Sequence, residues 1–192
     1  MNRIGLLLPA LVVLAGCEGT TFQHPPLAEQ PCDSALVGNW ESIGDKPSDA
    51  DNEVELRIDR QCQLLFIEHE KDGDRDGTPT ALHVGKRNGR RYFWLDATWA
   101  NQRFKSDRQP AAGDVYVVRY GIVAKILTLE LPNDKAIAHR IIDGKIHGDV
   151  DRTEDILFNR VTDPFDAAEL DRPGFFGGQA ARFRHRENKP KS

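Results

Sequence analysis

The chain has 192 residues, with 26 Lys and Arg against 30 Asp and Glu, a formal net charge of -4 and 39% hydrophobic residues. A chain of this length forms one domain with a sizeable core. Its acidic balance excludes recognition of nucleic acid or anionic lipid by charge over most of the surface. The basic residues concentrate near the end, where residues 182–192 carry five of them against Glu187. We expect residues 179–192 to form a solvated basic tail, and contact with an anionic surface is the alternative.

Residues 1–16 have the three parts of a secretory signal. Arg3 supplies the positive charge, Ile4 to Val13 form an apolar run, and Ala15-Gly16 are the small residues before the expected cut. The apolar run is shorter than the ~20 residues that a membrane-spanning helix needs. The sequence therefore predicts a signal peptide that is removed during export.

The tetrapeptide Leu14-Ala15-Gly16-Cys17 resembles the lipobox of bacterial lipoproteins. The resemblance implies that Cys17 carries a diacylglyceryl group on its thiol and a third acyl chain, such as palmitate, on its new amino group. Two or more acyl chains hold a protein stably at a membrane. In that family a residue other than aspartate after the cysteine, here Glu18, favours the outer membrane, and we expect its periplasmic face. A cleaved signal without lipid is the alternative.

Two cysteines remain beside Cys17, and they predict a disulfide. Outside the cytoplasm an even number of cysteines indicates pairing, here of Cys32 with Cys62. The closed loop of about 30 residues is worth roughly 3–4 kcal/mol in the chain-entropy model. Two buried free thiols are the alternative.

The body of the chain shows the alternation of β-strands. Residues 17–31 contain several prolines and few apolar side chains, so we expect a flexible tether there and an ordered domain over residues 32–178. Turn signals separate short alternating segments, which predict a mainly β fold, an antiparallel meander that closes as a barrel or folds into a sandwich, followed by one short helix over residues 163–170. The predicted strands cover residues 36–43, 53–59, 61–69, 80–85, 91–97, 114–120, 122–131, 136–142, 145–147 and 154–161.

The segment Leu36-Val37-Gly38-Asn39-Trp40 resembles the Gly-x-Trp start of lipocalin-like barrels. The resemblance implies that Trp40 plugs the closed end of the barrel. It also implies that an arginine on the last strand stacks on the indole, and Arg160 has the right place in chain order. A guanidinium over an indole is worth about 0.5–2 kcal/mol.

Aromatic residues predict a binding surface. Tyr92 and Trp94 share one strand face while Phe93 lies on the other, so one set belongs to the core and the other is available to line a pocket. An eight-stranded barrel has room for one small ligand. A lumen filled by side chains is the alternative. The candidate ligand-binding residues are Tyr92, Trp94, Trp99 and Tyr116.

One segment matches the start of a calcium loop. Asp72, Asp74 and Asp76 followed by Gly77 supply carboxylates at the expected spacing, but the twelfth position holds His83 instead of glutamate. We therefore expect a plain turn, and no metal or cofactor. The strand histidines lack the close pairing of a zinc site and are expected to be solvated or hydrogen-bonded: His69, His83, His139 and His147.

No catalytic motif is present. The chain lacks a Gly-x-Ser-x-Gly elbow, a Ser-x-x-Lys pair and a His-Glu-x-x-His helix. Carboxylate pairs such as Glu68 with Glu70 arise freely among 30 acidic residues. The sequence thus predicts a lipid-anchored envelope protein without catalytic residues that binds a small apolar or amphipathic ligand. The alternative is an assembly protein that contacts peptidoglycan or another envelope protein.

Overall fold

Strands dominate the computed structural model, which describes residues 18–43, 53–70, 73–104, 109–152 and 157–186. The first six strands of these ranges are β1 (Glu18–Phe22), β2 (Gly38–Ser42), β3 (Glu53–Ile58), β4 (Gln63–Glu70), β5 (Gly73–Asp76) and β6 (Thr80–Ala81). The others are β7 (His83–Arg87), β8 (Arg90–Asp96), β9 (Val115–Val123), β10 (Ile126–Pro132), β11 (Gly148–Arg152), β12 (Leu157–Val161) and β13 (Phe176–Arg186). The mainly β fold is confirmed.

Most of the strands form an antiparallel meander. Strands β2, β3 and β4 are successive neighbours, as are β7, β8, β9 and β10, and β13 joins β10 to β2. The two ends of this series meet at Leu82, because β6 pairs with β4 and β7 pairs with β8. The N–H of Leu82 donates to the carbonyl of Cys62 at 2.8 Å.

The expected closed barrel is therefore not formed by the hydrogen-bonded sheet itself. Strand β6 pairs only over two residues, and the ladder stops before β7 begins. The sheet instead wraps until its inward sides pack against each other, which is consistent with the sandwich alternative. We call the buried residues between these sides the inner core: Leu36, Trp40, Val54, Leu56, Ile58, Cys62, Leu64, Phe66, Leu82, Val84, Phe93, Leu95, Ala100, Val118, Tyr120, Leu127 and Phe183.

A second layer covers the outside of β8 and β9. In this layer β1 runs parallel to β12 and antiparallel to β9, where Phe22 lies opposite Val115. Strand β11 pairs with β12 at its edge. We call the buried residues beneath this layer the outer core: Phe22, Tyr92, Trp94, Val115, Val117, Ile137, Ile146, Val161, Leu170, Phe175 and Phe176.

Two α-helices, α1 (Ala97–Phe104) and α2 (Asp134–Ile142), interrupt the strands. Helix α1 starts because Asp96 accepts the N–H of Trp99 at 2.6 Å, and α2 starts because the side chain of Asn133 accepts the N–H of Ala136 at 3.1 Å. The prediction of a strand at 136–142 was therefore wrong. No helix among the described residues is both long and apolar enough to cross a membrane.

The helix predicted over residues 163–170 is a shorter 3₁₀ helix, Ala167–Asp171. Asp166 fixes its start, since its carboxylate accepts the N–H of Ala168 at 2.8 Å. The helix buries Leu170 in the outer core. Its first turn presents Glu169 to Arg140 of α2, which ties the two helices together.

The expected tether is part of the fold from Glu18 onward. Thr20, Thr21 and Phe22 are buried, and Gln30 pairs with Val84 through its backbone N–H at 2.8 Å. The hydroxyl of Thr20 donates to Asp134 at 2.6 Å, so this buried polar group is satisfied. Burial of Phe22 in the outer core holds the segment in place.

The expected basic tail is a strand as far as Arg186. Residues Ala181, Phe183 and His185 point inward, while Arg182 and Arg184 between them are exposed. This alternation has the period of a strand with one solvated face. Strand β13 consequently carries its positive charge on one face of the sheet.

Candidate functional site

An apolar pocket inside the wrapped sheet is the candidate binding site. Its volume is about 70 Å³, and its lining contains no charged residue. It is bordered by strands β3, β4, β8, β9, β10 and β13, and by helix α1. The lining residues are Leu56, Ile58, Leu64, Phe66, Leu82, Phe93, Leu95, Trp99, Phe104, Tyr116, Val118, Leu127, Leu129, Leu131, Ala181 and Phe183.

The two-residue period of the strands creates this lining. On β10 the side chains of Leu127, Leu129 and Leu131 follow one another on the inward face. On β9, Tyr116 and Val118 point into the pocket, whereas their neighbours belong to the outer core. Because successive side chains alternate between faces, each strand contributes every second residue to the pocket.

The structure brings two of the four predicted ligand-binding residues to the pocket, Trp99 and Tyr116. Tyr92 and Trp94 belong to the outer core instead, with the Trp94 ring stacked on His83 at 6.1 Å. Sequence reasoning missed Phe93, which lies on the same strand but on the opposite face. Both faces of β8 are apolar, so the strand alone carries no signal that separates them.

Helix α1 covers one end of the pocket with aromatic side chains. The Nε1 of Trp99 donates to the carbonyl of Thr78 at 2.8 Å. The Phe104 ring meets Phe66 edge-on at 5.0 Å. Arg103 reinforces this cover, because its guanidinium lies 4.9 Å from the centre of the Phe66 ring and its Nη2 donates to Glu68 at 3.0 Å. These contacts fix the helix across the end of the wrapped sheet.

Trp40 closes the inner core near the start of β2. Its side chain is 1% exposed, and its Nε1 donates to the carbonyl of Leu36 at 2.8 Å. The ring of His185 lies edge-on to the indole at 4.8 Å. Gly38 makes this contact possible, because its φ of +142° disfavours other residues and a β-carbon there would overlap the imidazole. The Gly-x-Trp motif therefore serves the packing of a histidine.

The predicted partner of Trp40, Arg160, has another role. Its Nε donates to Asp114 at 2.8 Å and its Nη2 to the second carboxylate oxygen at 2.9 Å. The hydrogen bond to Asp114 raises the pKa of Arg160 further above its ordinary value. Arg160 lies on β12, which belongs to the second layer. The residue paired with Trp40 across the last strand, β13, is His185.

The predicted disulfide between Cys32 and Cys62 is confirmed. The Cα atoms are 5.5 Å apart, and 30 positions separate the two residues in sequence. The bond joins the segment before β2 to the turn between β3 and β4. It therefore holds the segment between Cys32 and β2, whose Leu36 lies in the inner core, against this turn.

Asp33, next to this disulfide, binds a buried tyrosine. The hydroxyl of Tyr120 donates to its carboxylate at 2.8 Å, and Arg91 lies 3.4 Å away. Burial, together with the bond to Asp33, raises the pKa of Tyr120. Burial opposes ionisation of Asp33, but hydrogen bonds from Ala35 and Tyr120 hold the pKa of Asp33 below its ordinary value. The hydrogen bond between Asp33 and Tyr120 thus links the segment before β2 to β9.

The calcium-loop residues lie at the edge of the sheet. Asp72 falls outside the described residues, while Asp74 and Asp76 belong to β5, opposite His69 and Ile67 of β4. In the described part of the chain no group of three or more His, Cys, Asp or Glu side chains is placed to hold a metal ion. The plain turn expected over the motif is therefore wrong for Gly73–Asp76, which form a strand paired with β4.

The four histidines that were predicted to be solvated or hydrogen-bonded do not converge among the described contacts. The ring of His69 lies 3.4 Å from Glu55, and His83 lies 2.9 Å from Glu29. His139 and His147 are exposed on α2 and before β11. The described contacts therefore place the four histidines in separate parts of the fold.

Glu55 is the most buried carboxylate on the outward face of β3. Arg57 binds it through Nε at 2.8 Å and Nη2 at 3.0 Å. These hydrogen bonds, aided by His69, hold the pKa of Glu55 below its ordinary value despite its burial. The carboxylate is therefore an ionised, fully paired part of the fold.

Comparison with known proteins gives no relative for this site. No protein-family model, curated protein or solved structure matches the chain.

Proposed function

We propose that this protein is a lipid-anchored envelope protein that binds one alkyl chain of an amphipathic molecule in its apolar pocket. The observation that carries the proposal is a lining of apolar and aromatic side chains without a single charge. Such a lining favours methylene groups, each worth about 0.8 kcal/mol when buried. A charged headgroup has no partner inside and stays outside the sheet.

The size of the pocket narrows the ligand class. Its volume of about 70 Å³ is well below the ~300–1,000 Å³ of sites for drug-sized molecules. It is also about half of an engineered apolar cavity of ~150 Å³ that accepts benzene. A thin, flexible alkyl segment is therefore a better occupant than a ring system.

The anchor is the second part of the proposal. It is supported by the secretory signal over residues 1–16 and by the lipobox resemblance at Leu14-Ala15-Gly16-Cys17. Three acyl chains on Cys17 hold the protein at the outer membrane, where alkyl ligands are abundant.

The anchor predicts incorporation of palmitate at one residue. Radiolabelled palmitate is expected to enter the wild-type protein and to be absent from a Cys17→Ala variant, because the thiol that takes the diacylglyceryl group and the amino group that takes the third chain both belong to Cys17. The measurement is autoradiography of the immunoprecipitated protein, with membrane fractionation in parallel. Equal labelling of both proteins would exclude acylation at Cys17.

A larger side chain inside the pocket is expected to weaken ligand binding. Ala181 lines the pocket, and Ala181→Leu adds a branched side chain to its limited space. We expect at least tenfold weaker binding of a fluorescent fatty-acid probe, measured by titration. The matched control is Ala180→Leu, the preceding residue of β13, whose side chain is exposed.

Binding by the control is expected to equal that of the wild type. Saturable binding that is unaffected by Ala181→Leu would place the probe elsewhere. No saturable binding by the wild type would refute the alkyl-chain proposal. Circular dichroism and the denaturation midpoint of both variants show whether the fold is retained.

A further inference from the structure

We propose that the outer face of β9, β10 and β13 docks on an anionic lipid surface. We call this region the arginine face; it consists of Val123, Lys125, Ile126, Arg182, Arg184 and Arg186. It lies outside the pocket, on the solvent side of the same strands. The proposal does not depend on alkyl-chain binding.

The arginines form one row. They occupy alternate positions of β13, so their side chains leave the sheet on the same side, about 7 Å apart. All three are exposed. Arg184 lies opposite Ile126, and Ile126 lies opposite Val123. A row of cations therefore stands directly beside an apolar pair.

The apolar pair lies at the tip of the β9–β10 hairpin. Val123 is 76% exposed, one of two large hydrophobic side chains so exposed among the described residues, and Ile126 is partly exposed. Lys125 in the turn is also exposed. An exposed aliphatic group flanked by cations suits the boundary between lipid headgroups and acyl chains.

The charge on this face is locally positive, although the chain has a net charge of -4. Glu41 of β2 lies opposite Arg184 and pairs with Arg186 at 2.7 Å, so this one carboxylate stands among the four cations of the face; such exposed pairs are weak. Arg182 lies opposite Thr128. Since screening limits surface charges to about 8 Å at physiological ionic strength, the row acts on a nearby anionic surface independently of distant carboxylates.

An anionic lipid surface suits both parts of the arginine face, the cations and the apolar pair of Val123 and Ile126. Guanidinium groups bind phosphate with two parallel hydrogen bonds, and each basic residue near an anionic bilayer contributes about 1 kcal/mol. Nucleic acid offers phosphates too, but it gives the exposed Val123 no apolar environment. A bilayer satisfies the cations and the aliphatic tip together.

The test places a polarity-sensitive fluorophore at the tip. The full chain carries Cys17→Ser, so that it has no acyl group, and Val123→Cys for labelling; Cys32 and Cys62 are already paired. Vesicles contain equal parts of phosphatidylglycerol and phosphatidylcholine, or phosphatidylcholine alone. The matched control is a label at Ile142→Cys, which replaces a side chain that is 70% exposed on α2.

We expect a blue shift of the label at position 123 with the anionic vesicles only, and none at position 142. The Arg182→Gln/Arg184→Gln variant should need about thirty times more lipid for half the shift, at ~1 kcal/mol for each lost charge. Arg60→Gln/Arg152→Gln removes two other exposed arginines and should leave the titration unchanged.

Three results would overturn the proposal. They are no shift at position 123 with anionic vesicles, an equal shift at positions 123 and 142, and a titration unaffected by loss of Arg182 and Arg184. A shift produced by duplex DNA without vesicles would overturn the assignment to lipid. The N-terminal residues are common to all variants, so they cannot produce the difference between the two label positions.

Discussion

Replacing Trp40 with alanine is expected to lower the free energy of unfolding by about 3–5 kcal/mol, as for other large aromatic residues in cores. The side chain is 1% exposed and packs within the inner core. Its loss opens a cavity, removes the ring contact with His185 and leaves the carbonyl of Leu36 without its donor. Urea denaturation followed by circular dichroism measures the change.

Two variants separate these contributions. Trp40→Phe keeps an aromatic ring but loses the donor to Leu36, so a smaller loss of about 1–3 kcal/mol is expected. Trp99→Ala removes a tryptophan that is only partly buried over the pocket, and should cost less than Trp40→Ala. Equal losses for both alanine variants would contradict the role of Trp40 in closing the core.

Removing the disulfide is expected to cost about 3–4 kcal/mol. The Cys32→Ser/Cys62→Ser variant releases a cross-link between residues 30 positions apart, which increases the entropy of the unfolded chain. The folded state retains the hydrogen bond between Tyr120 and Asp33, next to the lost bond. The denaturation midpoint of the variant, with and without a reducing agent, measures the effect.

Reduced wild type provides the control for this variant. It should unfold at the same urea concentration as the double-serine variant, because both lack the cross-link. The oxidised wild type should be the most stable of the three. A reducing agent without effect on the wild type would contradict a disulfide that stabilises the native chain.

The central strands could be predicted from sequence because their pattern is local. Residues 53–59 alternate apolar and charged side chains, and the structure has β3 at Glu53–Ile58. The apolar run after Cys62 became β4, whose centre is buried. Cysteine pairing followed from the even number of cysteines beside Cys17 and from the expected export of the chain. In these segments the local order of apolar and charged residues is itself the signal for a strand.

The segment 136–142 shows where local pattern is ambiguous. Ile137 and Ile141 are four positions apart, which suits one face of a helix as well as alternate positions of a strand. The cap at Asn133 decided in favour of the helix, since it satisfies the N–H of Ala136. The tight turn at Ala124 and Lys125 was similarly hidden, because both adopt positive φ without the usual turn residues.

The first and last strands depend on distant partners. Strand β1 pairs with β12, about 140 residues later in the chain, and β13 joins β10 to β2. Composition favoured a flexible tether over residues 17–31, because prolines follow Phe22. It favoured a basic tail over residues 179–192, because arginines alternate along β13. The lining of the pocket could not be predicted for the same reason, because only the layer that packs on the outside of β8 determines whether Phe93 or Trp94 points inward.

The early start of β1 has a mechanical consequence. Because the strand begins at Glu18, any group carried on residue 17 is separated from the sheet by one peptide unit, about 3.8 Å of backbone. A disordered spacer over residues 17–31 would have allowed an average span of ~20 Å. A lipid anchor on Cys17, as proposed above, would therefore give the protein a reach set by the dimensions of the folded body alone.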